Sequence, residues 1–219
     1  MSKNALLLIG SPGNMRSNSS KVGQYLLDRL ADAGWNVEKE CIYQVVKDET
    51  KMKETFGKMD SSDLIVLSFP LYIDSLPSQT IRFMEQVVGR GDGAKKGQGF
   101  IAFCQSGFPE SHHSEYALRI CSIFARDAGY HWVGGLAVGG GGAIGGRDLN
   151  EGGGMLRNLR SALEMTAQAI DQGKDVPTEA RELTNKGIAP PWLYNWIVNR
   201  RWNNEARKNG VDPLANPHP

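Results

Sequence analysis

Ala5-Leu6-Leu7-Leu8-Ile9-Gly10-Ser11-Pro12-Gly13-Asn14-Met15-Arg16-Ser17-Asn18-Ser19-Ser20 decides the fold. An apolar run ends in a turn of small and hydroxyl residues. A helical pattern follows at once, with Val22, Tyr25, Leu26 and Leu30 spaced for one apolar face. The pattern predicts a buried strand, a loop and a helix N-terminus. Backbone N–H groups and the positive end of the helix dipole face such a loop, so it suits an anion. No Gly-Lys-Ser/Thr closes it, which argues against a triphosphate loop, and no G-x-G-x-x-G argues for a pyrophosphate. Ser11, Ser17, Asn18, Ser19 and Ser20 offer neutral donors, a set suited to the compact terminal phosphate of a mononucleotide. The plainer reading is a capped helix, for which one such residue suffices.

Outward from that stretch, strand and helix patterns alternate. Asn36 to Ile42 reads as a second strand and Lys51 to Met59 as a polar helix. Asp63 to Phe69 is a continuous apolar strand, followed by Pro70-Leu71-Tyr72-Ile73-Asp74-Ser75-Leu76-Pro77. Ser78 reads as the cap of a helix carrying Ile81, Met84 and Val88. Gln98 to Gln105 is a fourth strand ending in Ser106-Gly107-Phe108-Pro109. His113 to Ala128 is a helix, His131 to Val138 a fifth strand, and Met155 to Ile170 another helix. Near-continuous apolar strands separated by helices imply an α/β, doubly wound, five-stranded parallel sheet covered on both faces. In the strand order 2-1-3-4-5 the loops after strands one, three and four converge on the carboxyl edge, where such sheets bind ligands. Residues 1–174 read as this domain, and residues 175–219 as a polar, proline-bearing linker and an aromatic helical tail with Trp192, Tyr194, Trp196 and Trp202.

Composition narrows the function classes. The 219 residues carry a formal net charge of +1, so nothing suggests nucleic acid or an acidic partner. Cys41, Cys104 and Cys121 have no CxxC spacing and read as buried thiols of a reducing compartment; the expected location is the cytoplasm. His112 and His113 lack a spaced acidic or thiol partner and are expected to point apart, so no metal site is expected. Gly139 to Gly146 reads as a mobile glycine loop rather than a phosphate cradle, and Arg147 with Asp148 either as contacts to a nicotinamide cofactor or a neighbouring subunit or as a solvated pair.

The motif Gly10-Ser11-Pro12 through Ser17-Asn18-Ser19, the segment Phe69 to Pro77 and the turn Ser106-Gly107-Phe108 resemble the flavodoxin-like NAD(P)H-dependent FMN reductase family. The resemblance spans about the first 170 residues. It implies FMN as cofactor. Ser11, Arg16, Ser17, Asn18, Ser19 and Ser20 would hold the phosphate. Pro70, Leu71, Tyr72, Ile73 and Asp74, with Ser106, Gly107 and Phe108, would hold ribityl and ring. Gly13 stands where an arginine is frequent in the family, and Arg16 is the substitute. The implied activity takes hydride from NAD(P)H and reduces a quinone, flavin, azo or nitro compound. The alternatives are a flavodoxin-type electron carrier, which the +1 charge disfavours, and a flavin-free scaffold on the same fold. A phosphatase of similar architecture would need a cysteine in the first loop, and a response regulator an aspartate where Phe69-Pro70 stands. The aromatic tail is expected to reach across a homodimer, in preference to packing on its own domain or lying on a membrane surface.

Overall fold

The computed structural model describes residues 2–91, 93–187 and 191–212, with the side chain of Pro191 excepted. It separates into two compact units, Met1–Ile188 and Ala189–Pro219. The first unit runs β1 (Asn4–Ile9), α1 (Asn18–Asp32), β2 (Asn36–Cys41), α2 (Ile42–Val45), α3 (Glu49–Ser61), β3 (Leu64–Pro70), α4 (Ser78–Gly89), β4 (Gly99–Gln105), α5 (Glu115–Asp127), β5 (His131–Val138), α6 (Arg157–Asp171) and α7 (Thr178–Asn185). The five strands form one parallel sheet in the order β2-β1-β3-β4-β5. The doubly wound sheet and its order are those the sequence predicts.

The period of two along each strand divides the interior into two cores. Ala5, Leu7 and Ile9 of β1 meet Val22, Leu26 and Leu30 of α1 and Leu159 and Leu163 of α6 on one face. Leu6 and Leu8 meet residues of α2, α3, α4 and α5 on the other, where Phe83, Cys121 and Phe124 are buried. Every residue of β4 is buried, as a parallel strand covered on both faces requires. Gly23 allows α1 to lie close on β1, since a Cβ there would collide with the Leu7 side chain. Edge strand β2 carries Glu38, Lys39 and Glu40, and Lys58 of α3 bridges both glutamates at 2.9 and 2.7 Å. Charge on an outer strand discourages edge-to-edge pairing.

Several local expectations are corrected. The polar stretch after Gly173 is not a linker throughout: α7 lies within it, Ala180 is fully buried, and Val176 belongs to the first core. Pro177 sits at the cap of α7, with Glu179 in its first turn. In α4 the cap position is Pro77 rather than Ser78, and the buried face is Thr80, Phe83, Met84 and Val87, leaving Val88 exposed. Helix α5 starts at Glu115, after a short 3-10 turn at His112–Ser114.

The second unit contains α8 (Pro191–Lys208). Trp192, Trp196 and Trp202 are exposed, and the Arg200 guanidinium lies 5.5 Å from the Trp196 ring centroid. Among the described residues no helix is long and apolar enough to cross a membrane.

Cys41, Cys104 and Cys121 are free and buried. Burial pushes the Cys104 thiol up to about 12, and the Cys121 thiol well above its ordinary value near 9. Native protein at pH 8 should therefore react with a thiol reagent only on unfolding, when all three cysteines become accessible. The folded state keeps the Cys104 proton to about 12, while the unfolded chain releases it near 9. Above that lower value the native state binds more protons than the unfolded state, so stability falls as pH rises through this window. Urea midpoints at pH 8 and pH 10.5 check this, and Cys104→Ala should reduce the drop.

Candidate functional site

Three loops meet at the carboxyl edge because β1, β3 and β4 are consecutive neighbours in the sheet. The first leaves β1 at Gly10, whose N–H donates to Ser68 O at 2.8 Å. The Thr80 hydroxyl of α4 donates to Gly10 O at 3.2 Å, and a Cβ on Gly10 would meet Thr80 Oγ1 at 2.6 Å. Glycine is thus required for the close approach of loop and helix. The chain then makes a 3-10 turn over Asn14–Arg16 and enters α1 at Ser17. Ser17 Oγ accepts the Ser20 N–H at 3.1 Å and donates to Asn14 O at 2.6 Å, a side-chain N-cap.

The next two side chains are engaged inside the protein. Ser19 Oγ donates to Gln105 Oε1 at 2.6 Å, Gln105 Nε2 donates to Ser68 Oγ at 3.1 Å, and Ser68 Oγ donates to Ser19 O at 2.7 Å. This closed, buried triangle ties α1 to β3 and β4. Asn18 Nδ2 donates to Gly141 O at 2.8 Å, and its Oδ1 accepts the Gly146 N–H at 2.8 Å. Both halves of that amide clamp the glycine segment after β5, which is anchored rather than loose. The expectation that Asn18 and Ser19 offer side-chain donors to a phosphate is therefore corrected. The donors left at the helix start are their backbone N–H groups, which have no acceptor inside the first turn, and those of the Ser11 hydroxyl and exposed Arg16. Asn14 Oδ1 is a buried oxygen with no partner beside them.

The second loop leaves β3 at Pro70. Leu71 N–H donates to Gln105 O at 2.8 Å, holding the loop to β4. Tyr72 and Ser75 exchange backbone hydrogen bonds at 2.9 and 3.1 Å around Ile73 and Asp74. Those two residues have φ of +48° and +57°. A left-handed conformation costs a β-branched residue about 1–3 kcal/mol, and the Ile73 side chain is 99% exposed, so burial does not repay it. Tyr72 is half-exposed. Tyr43 of α2 lies near it: burial first, then the Tyr72 phenol, raises the Tyr43 hydroxyl above its ordinary range. Tyr43 escaped the sequence reading because α2 is a single turn with no pattern of its own.

The third loop leaves β4 at Ser106, whose N–H donates to Val138 O at 3.0 Å. Ser106 Oγ donates to Phe108 O at 3.1 Å, Gly140 N–H to Phe108 O at 2.6 Å and Gly141 N–H to Ser106 O at 2.8 Å. A Cβ on Gly139 would collide with the Pro109 carbonyl. Loops after β4 and β5 are thus zipped together. Phe108 is more than half exposed, and its ring centroid lies 4.6 Å from His113, which lies 4.2 Å from His112. The two histidines stack instead of pointing apart. Among the described residues no group of three His, Cys, Asp or Glu is placed to hold a metal. Arg147 and Asp148 do not pair: Arg147 donates to Ala143 O at 3.3 Å, and Asp148 caps the following turn through Asn150 N–H at 2.9 Å.

A family model for the flavodoxin-like fold matches residues 3–115. Solved structures similar to the chain include an FMN-dependent NADH-azoreductase from Bacillus anthracis in complex with FMN. It is 16% identical, with 77% of this chain and 99% of that chain covered and a TM-score of 0.56. An NAD(P)H:quinone oxidoreductase from Methanothermobacter marburgensis is 17% identical over 75% of this chain and 96% of its own, with a TM-score of 0.56. A putative quinone reductase from Klebsiella pneumoniae is 14% identical over 80% and 88%, with a TM-score of 0.57. No curated protein sequence matches the chain significantly.

Ser19→Ala should leave a buried amide oxygen of Gln105 unpaired and cost about 1–3 kcal/mol in a denaturation curve. Asn18→Ala should instead act locally, speeding amide exchange at Gly146 with a smaller change in global stability.

Proposed function

The chain belongs to the flavodoxin-like fold family, and on that premise we propose that it is an FMN-dependent oxidoreductase. The reading rests on one observation above all: the loops after β1, β3 and β4 bring anion donors and exposed ring faces to the same sheet edge. The donor set fits a phosphate. The Asn18 and Ser19 N–H groups stand at the positive end of a 15-residue helix, with the Ser11 hydroxyl and Arg16 beside them. Tyr72 and Phe108 each present exposed aromatic surface on neighbouring loops, as a flat heteroaromatic ring requires. Ile73 and Asp74, held in left-handed conformation, turn the backbone of the second loop toward the edge, where N–H donors would meet the polar rim of the ring.

Bound FMN supplies the capacity to accept a hydride and release electrons. The chain's own residues would position it: the first loop would hold its phosphate, and the second and third loops its ribityl chain and ring. In this reading the hydride donor is NAD(P)H and the acceptor a small planar quinone, flavin, azo or nitro compound. Neighbouring folds that act on azo compounds and quinones support that class. The balanced charge of +1 supports an enzyme over an acidic carrier. The active form is a homodimer in the cytoplasm, with α8 as an arm; its exposed Trp192, Trp196 and Trp202 supply apolar surface for a partner.

Fluorescence-quenching titration should give saturable FMN binding, weakened roughly tenfold by Arg16→Ala or Ser11→Ala through loss of a charge-assisted hydrogen bond. Anaerobic stopped-flow mixing with NADH or NADPH should bleach the bound flavin. Absence of binding rejects the flavoprotein reading, and binding without bleaching by either nucleotide rejects the reductase. Light scattering should report a dimer for the full chain and a monomer after deletion of residues 190–219.

A further inference from the structure

A groove of about 850 Å³ lies along the outer edge of β5, between α5 and α7, with the far half of the loop after β4, from Glu110 to His112, at one end. Strand β5 pairs with β4 alone. His131 N–H donates inward to Gln98 O at 2.9 Å, and Val138 O accepts from Ser106 N–H at 3.0 Å. Backbone direction alternates along a strand, and the register slips once, between Phe100 and Ile101. Leu136 therefore points inward like Val138, while Gly135 and Ala137 turn N–H and C=O outward. Both line the groove. Glycine at 135 lets α5 pack closely on the strand, since a Cβ there would meet Leu118 Cδ2 at 2.9 Å.

The edge is closed at both ends and open between. Val176 N–H caps Val133 O at 2.9 Å, and Ser111 Oγ donates to Asn185 Oδ1 at 2.8 Å across the other end. Residues 134–137 remain, a length of about 13 Å at about 3.3 Å per residue. Proteins ordinarily protect an outer strand along its length. Here the protection is interrupted where the side chains are smallest. Helix α5 covers one face of the sheet and α7 the other, so side chains of an added strand would alternate between them. Arg119 stands on the α5 wall and Arg181 on the α7 wall, both exposed and neither in an ion pair among the described residues. Glu110 and Glu115 line the groove beside Ser111, at the closed end.

We propose that this groove binds an extended peptide segment of a partner protein, which adds as a strand to β5. Two consecutive acidic side chains of the segment meet Arg119 and Arg181, one on each face, and a basic residue lies toward Glu110 and Glu115. Backbone bonds to Gly135 and Ala137 provide affinity, and the charges set sequence and register. The site is independent of the flavin reading, because no residue of the three loops that would hold the phosphate or the ring belongs to it.

The test is an array of blocked hexapeptides in which the two central residues run through all amino-acid pairs, probed with the full chain. Pairs of Asp and Glu should be selected. The best peptide should slow amide exchange at Gly135 and Ala137, and the double variant Arg119→Glu/Arg181→Glu should weaken it roughly tenfold or more. Both arginines are exposed, so an unchanged melting temperature verifies the fold of the variant. Selection of no pair, or protection outside β5, overturns the proposal. So does binding indifferent to the charge reversal. Protection of the same amides in peptide-free protein at rising concentration would assign the groove to a second copy and also overturn it.

Discussion

A buried serine, a glutamine and a second serine hold the ligand edge in register. Ser19, Gln105 and Ser68 lie on α1, β4 and β3, and each donates to the next around a closed triangle. None reaches solvent to an appreciable degree. In such surroundings an unmade hydrogen bond costs about 1–3 kcal/mol, so the three groups stand or fall together. Their effect is positional. They fix where α1 begins relative to the ends of β3 and β4, and so where the free N–H groups of Asn18 and Ser19 point.

A second tier of contacts builds on that joint. The Asn18 amide spans the first loop and the glycine segment after β5, with both ends satisfied at 2.8 Å. Glycines there serve packing. Gly139 and Gly10 stand where backbone or side chain approaches too closely for a Cβ. The third loop is zipped to the fourth by bonds to Phe108 O and Ser106 O. The edge is thus preorganised from four sides, and Tyr72, Ile73, Asp74 and Phe108 are exposed on it. Strain at Ile73 is consistent with that arrangement, since a left-handed isoleucine persists only where its surroundings impose it.

The architecture was legible because parallel strands covered on both faces leave unbroken apolar runs. Leu6 to Ile9, Leu64 to Phe69 and Phe100 to Cys104 can be read directly. The convergence of the three loops followed from strand order alone. Individual side-chain roles were less legible. A serine or asparagine at a helix start serves a ligand or a distant backbone group equally well, and the partner of Asn18 lies 123 residues away. Helix α7 was hidden because most of its residues are polar, and only Ala180 and Thr184 are buried. Pro177 followed by Thr178 and Glu179 was the available signal. The approach of the His112 and His113 rings to 4.2 Å between centroids was not legible, since even a 3-10 turn spaces successive side chains about 120° apart.

The account depends on backbone N–H groups, rather than the Asn18 and Ser19 side chains, facing a bound phosphate. Amide ¹H–¹⁵N spectra of the uniformly labelled chain, recorded during FMN titration, test this residue by residue. The account predicts that the Asn18 and Ser19 amide protons move strongly downfield as they bond to an anion. The side-chain NH₂ of Asn18 should stay where it is, held by Gly141. A saturating titration that leaves both backbone amides unmoved, or that displaces the Asn18 side chain instead, would contradict it.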